Sequence, residues 1–428
     1  MKEDFLQYVW ANSLYKRNEF TTYNGKKVRV LRTGEWNRDA GPDFFNARVA
    51  VDDVILAGNV EVHVRSSDWY RHGHHEDVAY NSVVLSVVQT DDVRVYDSSG
   101  REIECIVLEA VDDLYEEYEY MKSCRQQPAC AKGLESIEDS RFFIVLQGLA
   151  FERLERKVGD MRHLLEQTGN DWEECFYRFL CKYWAGNVNS AAFYQLAQYL
   201  PYKILLKYAN RPEIVEALIF GVSGLLEKAG DEEYVQLLKR EYAYYRVKHQ
   251  LMEIPVQMWR FMRIRPDNFP TVRLALLADF VCHFQMIVSR LMEAESLKEA
   301  LACFDVDTSS YWDNHYAFQR KSVVRKKQMG IRTRQILLIN AVVPFLFLYA
   351  KEQGKEGLAE KAIRWLEETE AESNYIIEAW KRCGFSFDSA LQTQALIQLR
   401  KEYCDKHLCL KCRIGREVLK NSYKDNGI

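Results

Sequence analysis

An excess of charge is what this chain most clearly lacks: 58 Lys and Arg against 62 Asp and Glu leave a formal net charge of −4. A protein that coats nucleic acid nonspecifically needs a large positive excess, so that class is excluded, while a local basic groove stays compatible. Long apolar runs are missing too. No segment reaches the ~18 consecutive apolar residues of a membrane span. The best approach to one, Ile336 to Leu348, is interrupted by Asn340 and Pro344 and predicts a kinked, buried helix. The start, Met1-Lys2-Glu3-Asp4-Phe5, has neither the basic nor the apolar segment of a signal peptide. Eleven cysteines in such a chain predict reduced thiols and a cytoplasmic location, with only clustered cysteines as metal candidates. Repeats of fixed length are absent as well.

What is present is a chain of 428 residues, 48% hydrophobic and 28% charged, long enough for two or three cores. Phe5, Leu6, Val9, Trp10 and Leu14 recur at helical spacing over residues 1 to about 18. From Lys27 to about Glu109 the period shifts to two, predicting strands at Val28–Leu31, Phe45–Val51, Val54–Val64, Val83–Gln89, Val93–Tyr96 and Ile103–Leu108. Asn24-Gly25, Asp52-Asp53 and Ser98-Ser99-Gly100 supply turns between them. Beyond Asp112 strand signals largely stop. The expected organisation is an α/β domain over 1–112, an acidic, Tyr-rich connector over 113–136, and an all-helical domain with a Cys-rich tail over 137–428. The fold class is therefore α+β.

The chemistry concentrates after Gly41-Pro42. Asp43 precedes one predicted strand, and the next carries Glu61, His63 and Arg65 alternating with Val60, Val62 and Val64. A strand sends alternate side chains to opposite faces, so a hairpin at Asp52-Asp53 brings Asp43 near Glu61 and His63. Two carboxylates with open water positions suit Mg²⁺ or Mn²⁺. The plainer alternative is that Asp43 caps a turn while Glu61 and His63 line the wet face of an edge strand.

This arrangement resembles the core of the PD-(D/E)xK nuclease superfamily, a restriction-endonuclease-like fold in which a Pro-Asp pair precedes a strand and the next strand carries Glu-x-Lys. The resemblance implies Asp43 and Glu61 as metal ligands and His63 in the place of the lysine that activates water. Imidazole there can itself ligate a metal. Over most of the chain, the runs Ala40-Gly41-Pro42-Asp43-Phe44, Val60-Glu61-Val62-His63 with Ser67-Asp68-Trp69, His72-Gly73-His74, Arg265-Pro266-Asp267-Asn268-Phe269-Pro270-Thr271, Leu338 to Pro344 and the terminal Cys-rich segment resemble a bacterial family of unknown function. That likeness implies kinship without an activity.

Three further groups complete the inventory. The loop Asp68 to His75 adds His72, His74 and His75, which with His63 form a candidate zinc or manganese site or else a solvated polar loop over Trp69 and Tyr70. Arg65 and Arg71 beside the site, with Arg265 and Arg332 in two basic helical stretches, are phosphate-binding candidates; such runs are more often solvated faces. In the tail, Cys404, Cys409 and Cys412 offer a third thiol beside a C-x2-C pair. His407, Cys383, Cys124 or Cys130 would complete Zn²⁺ or an iron–sulfur cluster, and the alternative is a helix with Cys packed inward. The expected function is a metal-dependent phosphodiesterase acting on nucleic acid. Its rivals are a non-catalytic binding or scaffold protein on the same fold and a zinc-dependent hydrolase of another substrate. The sequence points to no membrane and names no protein partner.

Overall fold

The period-two segments of the first hundred residues pair into one mixed sheet. In the computed structural model, which describes residues 1–15, 17, 19–37, 41–109, 112–124 and 128–425, helix α1 (Glu3–Ala11) precedes seven strands. They are β1 (Glu19–Thr21), β2 (Lys27–Arg32), β3 (Glu35–Trp36), β4 (Phe44–Val51), β5 (Val54–Arg65), β6 (Val83–Thr90) and β7 (Glu104–Val107). The sheet order is β1-β2-β4-β5-β6-β7, with β3 beside β4. The pairs from β1 to β5 are antiparallel, and β5/β6 and β6/β7 are parallel. Val51 stands opposite Val54 across the Asp52-Asp53 turn, and Asp52 takes the left-handed conformation at φ +49 that a short polar side chain tolerates. A parallel step cannot be made by a tight turn. The crossover from β5 to β6 is made by α2 (Asp68–Arg71), a histidine loop and a 3-10 turn, Val78–Ser82.

Two sequence expectations change here. β5 is no edge strand with a wet face: it lies between β4 and β6, α1 packs against it, and Glu61 (5% exposed) and His63 (1%) are as buried as Val60 and Val62. Val93–Tyr96 forms only an isolated bridge, Tyr96 to Glu102. Asp92 just before it is drawn away to Ser66 and Ser67, accepting hydrogen bonds from both hydroxyls and from the Ser67 N–H.

The chain forms two compact units. The first comprises Met1–Leu149, Asn374–Ser386 and Leu396–Ile428; the second comprises Ala150–Ser373 and Phe387–Ala395. The acidic connector lies inside the first unit and is partly helical, as α3 (Asp112–Ser123) and the 3-10 turn Ala131–Ser136. The last helix, Arg413–Asp425, also belongs to this unit: Tyr8 Oη donates to Arg416 O at 2.8 Å, and Asn421 Nδ2 to Ser136 O at 2.8 Å.

The second unit is helical apart from a short two-stranded hairpin. Its most apolar helical run, Ile331–Gln353, is long enough to cross a bilayer and is 72% buried within the fold. Pro344 has no N–H to return to Asn340, and a π turn at Leu338–Val342 absorbs the break. Buried Lys157 braces this turn: its Nζ donates to the Asn340 side-chain Oδ1 at 2.8 Å and to the Ile339 carbonyl at 3.5 Å.

Candidate metal centre

Local geometry turns five side chains from three segments toward one point. Gly41, at φ +101, makes a bend that leads through Pro42 to Asp43, the residue just before β4, whose Phe44 pairs with Val60 of β5. After β5, Asp68 accepts the Arg65 N–H at 3.1 Å and pairs with Arg71 Nη2 at 3.0 Å, folding α2 back along the strand end. Gly73 then takes φ +76 between His72 and His74, and its position is open enough that only the backbone requires glycine.

One ring nitrogen each from His63, His72 and His74 lies within 4.8 Å of the others. His63 Nε2 and His72 Nδ1 are 3.2 Å apart. Glu61 Oε1 lies 3.3 Å from His74 Nε2 and 3.7 Å from His63 Nε2, while Glu61 Oε2 accepts the Asp43 N–H at 3.0 Å. Asp43 in turn accepts the Val62 N–H and the Gln7 amide at 3.0 and 2.8 Å. Tyr80 stacks on the His74 ring at 3.8 Å, and Trp69 meets both His63 and His74 edge-on. Asp43, Glu61, His63, His72 and His74 thus come together.

Other candidates lie elsewhere. His75 is outside the cluster and faces Glu76 at 3.4 Å, because the loop has already turned away after His74. Arg65 and Arg71 line an open cleft of about 650 Å³ together with Glu3, Asp68 and His72. Arg265 and Arg332 are exposed residues of the second unit, flanking Pro266–Asn268 and lying in the helix Ile331–Leu337. Gln7, Glu3 and Tyr80 escaped the sequence reading, since α1 advertises only its apolar stripe and Tyr80 sits in a short turn.

Burial governs the site's electrostatics. It lowers the His63 pKa to about 3, helped by His74 and His72, so this imidazole is neutral with a free lone pair. The Asp43 carboxyl is pushed up to about 7 by burial and then by Glu61, against the hydrogen bonds from Val62 and Gln7. Glu3 is raised by burial and by Glu61 as well. Two crowded carboxyls beside the neutral His63 imidazole make a place where a cation is favoured. The ring nitrogen that faces His72 and Glu61 is His63 Nε2, while Nδ1, which points away from it, is buried without a hydrogen-bond partner. Three nitrogens with a carboxylate fit Zn²⁺ or Mn²⁺ better than Mg²⁺, which prefers an all-oxygen shell.

Comparison with known families adds kinship to this geometry. A family model described as "Protein of unknown function (DUF2851)" matches residues 3–375. The chain belongs to this family. The DUF2851 match takes in every member of the histidine–carboxylate cluster and ends before Cys404. No curated protein matches the chain, and no solved structure does.

Proposed function

We propose that this DUF2851 protein is a divalent-metal-dependent phosphodiesterase acting on nucleic acid, with the ion held by His63, His72 and His74 and flanked by Glu61. The observation that carries the proposal is the three ring nitrogens within 4.8 Å of one another beside a buried carboxylate. A bound ion would supply Lewis acidity and a water acidic enough to ionise near neutrality. The protein's own groups do the rest. Buried, neutral His63 offers a lone pair without losing a proton, and Asp43 fixes Glu61 through its backbone N–H. His72 stands at the cleft wall, where the site meets solvent. Arg65 and Arg71 on the same cleft are placed to take phosphate charge, and with the PD-(D/E)xK likeness they support the substrate class.

The test is metal analysis of purified protein combined with cleavage of single- and double-stranded DNA and RNA in Mn²⁺ or Zn²⁺. Loss of both bound metal and cleavage in His72→Ala is expected. Cleavage undiminished in that variant would sink the proposal. The depth of Glu61 and His63 favours a second reading, in which the ion braces a non-catalytic binding protein. Metal retained by a protein that cleaves none of these substrates would select it.

A further inference from the structure

Within the first unit, the three tail cysteines meet a fourth from the connector. A small cavity of about 20 Å³ is lined by Cys130, Cys404, Cys409 and Cys412, with Met121 and Leu399 among its apolar neighbours. Of the other fourth ligands that the sequence offers, His407 is exposed, Cys383 donates its thiol to Ala379 O at 3.4 Å, and Cys124 does not line this cavity.

Close packing fixes these positions. Cys130 immediately precedes the turn Ala131–Ser136, which presses on the last helix so tightly that a Cβ at Gly133 would stand 2.3 Å from Val418 Cγ1. Cys409 lies so near the same helix that a Cβ at Gly415 would meet the Cys409 carbonyl oxygen at 2.6 Å. Cys412 sits at that helix's start, where its sulfur accepts the Gly415 N–H at 3.5 Å. Cys404 ends a π turn, Arg400–Cys404, and His407 at φ +53 turns the chain from it toward Cys409.

All four cysteines are free. Burial pushes each thiol up, Cys404 to about 12 and Cys412 to about 11, and Cys130 is raised further by the three others. Lys122, Arg400 and Arg416 are near enough to Cys409, Cys404 and Cys412 to offset negative charge. The spacing discriminates among metals. A single tetrahedral zinc with ~2.3 Å bonds holds its sulfurs about 3.8 Å apart. Among the described residues the histidine set is the one group of three ligand atoms within 4.8 Å, so no three of these sulfurs close to that distance. An iron–sulfur cluster interposes its own atoms between the thiolates and spaces them more widely.

We propose that Cys130, Cys404, Cys409 and Cys412 bind a four-iron, four-sulfide cluster that ties the C-terminal segment to the connector. Four Fe–S(thiolate) bonds form on a cluster of iron and sulfide. The four thiol protons pass to solvent, and no cysteine sulfur is oxidised or reduced. The site is separate from the histidine centre and independent of its activity.

The experiment is anaerobic purification of the full chain, followed by reconstitution with sulfide and equal amounts of ferrous and ferric iron, which supply the cluster's two Fe²⁺ and two Fe³⁺ with no further oxidant. Iron, acid-labile sulfide, zinc and the visible spectrum are then measured. The wild type is expected to be brown, with about four iron and four sulfide per chain. Cys130→Ser should lose most of both, and Cys383→Ser should keep them. A colourless wild type that takes up no iron overturns the proposal without reference to any variant. So does one zinc per chain in place of iron, or full iron retention by a folded Cys130→Ser protein.

Discussion

Asp43 and Glu61 hold each other in place: the Glu61 carboxylate accepts the Asp43 N–H at 3.0 Å, while the Asp43 carboxylate accepts the N–H of Val62, the residue after Glu61. The lock is made where β4 begins opposite β5, with Phe44 paired to Val60. Sheet register and carboxylate orientation are therefore one property. Glu61→Gln keeps the acceptor for Asp43 but removes the charge facing His74 and His63. We expect it to weaken Mn²⁺ or Zn²⁺ binding by about 10- to 100-fold, as loss of a supporting carboxylate does. Calorimetric titration reads this, and unchanged affinity would remove Glu61 from the centre.

Gly73 offers a test of the loop. Its Cβ would meet nothing within 4 Å, so Gly73→Ala carries only the cost of φ +76, about 1 kcal/mol. Thermal unfolding should shift down by a few degrees. Metal affinity should fall further than this, because Gly73 sets the directions of His72 and His74. Equal melting and equal affinity would show that the loop relaxes freely.

Asp97 gives a pH dependence with a definite sign. Burial pushes its carboxyl up, but hydrogen bonds from Ser99 and Arg101 prevail and hold it at about 2. An ordinary unfolded value near 3.9 lies above that, so the unfolded state binds the proton more readily. The stabilisation is complete above about pH 4 and is lost as pH falls through 2. Asp97→Asn should cost about 2 to 3 kcal/mol at pH 7 and much less near pH 2, read by denaturant unfolding. A cost that does not change with pH would contradict the assignment.

Glu216 in the second unit has the opposite sign. Burial raises its carboxyl to about 7, despite the hydrogen bond from Ser309. The folded state keeps a proton there that the unfolded state releases near 4.3, so stability falls as pH rises from about 4.3 to 7. Glu216→Gln should therefore raise the melting temperature at pH 8 and leave it nearly unchanged at pH 4. A variant that melts lower at pH 8 would refute this.

The sheet was largely legible because alternation over Val28–Leu31, Phe45–Val51 and Val54–Val64 is local, and so is the turn chemistry of Asp52-Asp53. Local pattern also drew Asp43, Glu61 and His63 together. It does not reveal what covers a strand. The alternation through Val60 to Val64 reads the same on an edge as in the middle of a sheet, so the burial of Glu61 and His63 was missed. Gln7 reaches Asp43 from α1, and Cys130 reaches the tail from the connector, through contacts that leave no spacing rule behind. The helical signal beyond residue 137 was clear, but helical period cannot say that Arg413–Asp425 belongs with the sheet.

The contacts of Tyr8 with Arg416, 408 positions apart, and of Gly133 with Val418 join segments that are far apart in the chain. During synthesis, α1 and the sheet leave the ribosome while the helix Arg413–Asp425, which packs on Tyr8 and on the turn Ala131–Ser136, has yet to be translated. The first unit is then open while the second has nearly all of its chain, and contacts of such long sequence separation form slowly. A ribosome that stalls or a message truncated before Arg413 therefore leaves an uncapped N-terminal unit with bare apolar surface, a substrate for chaperones and proteases.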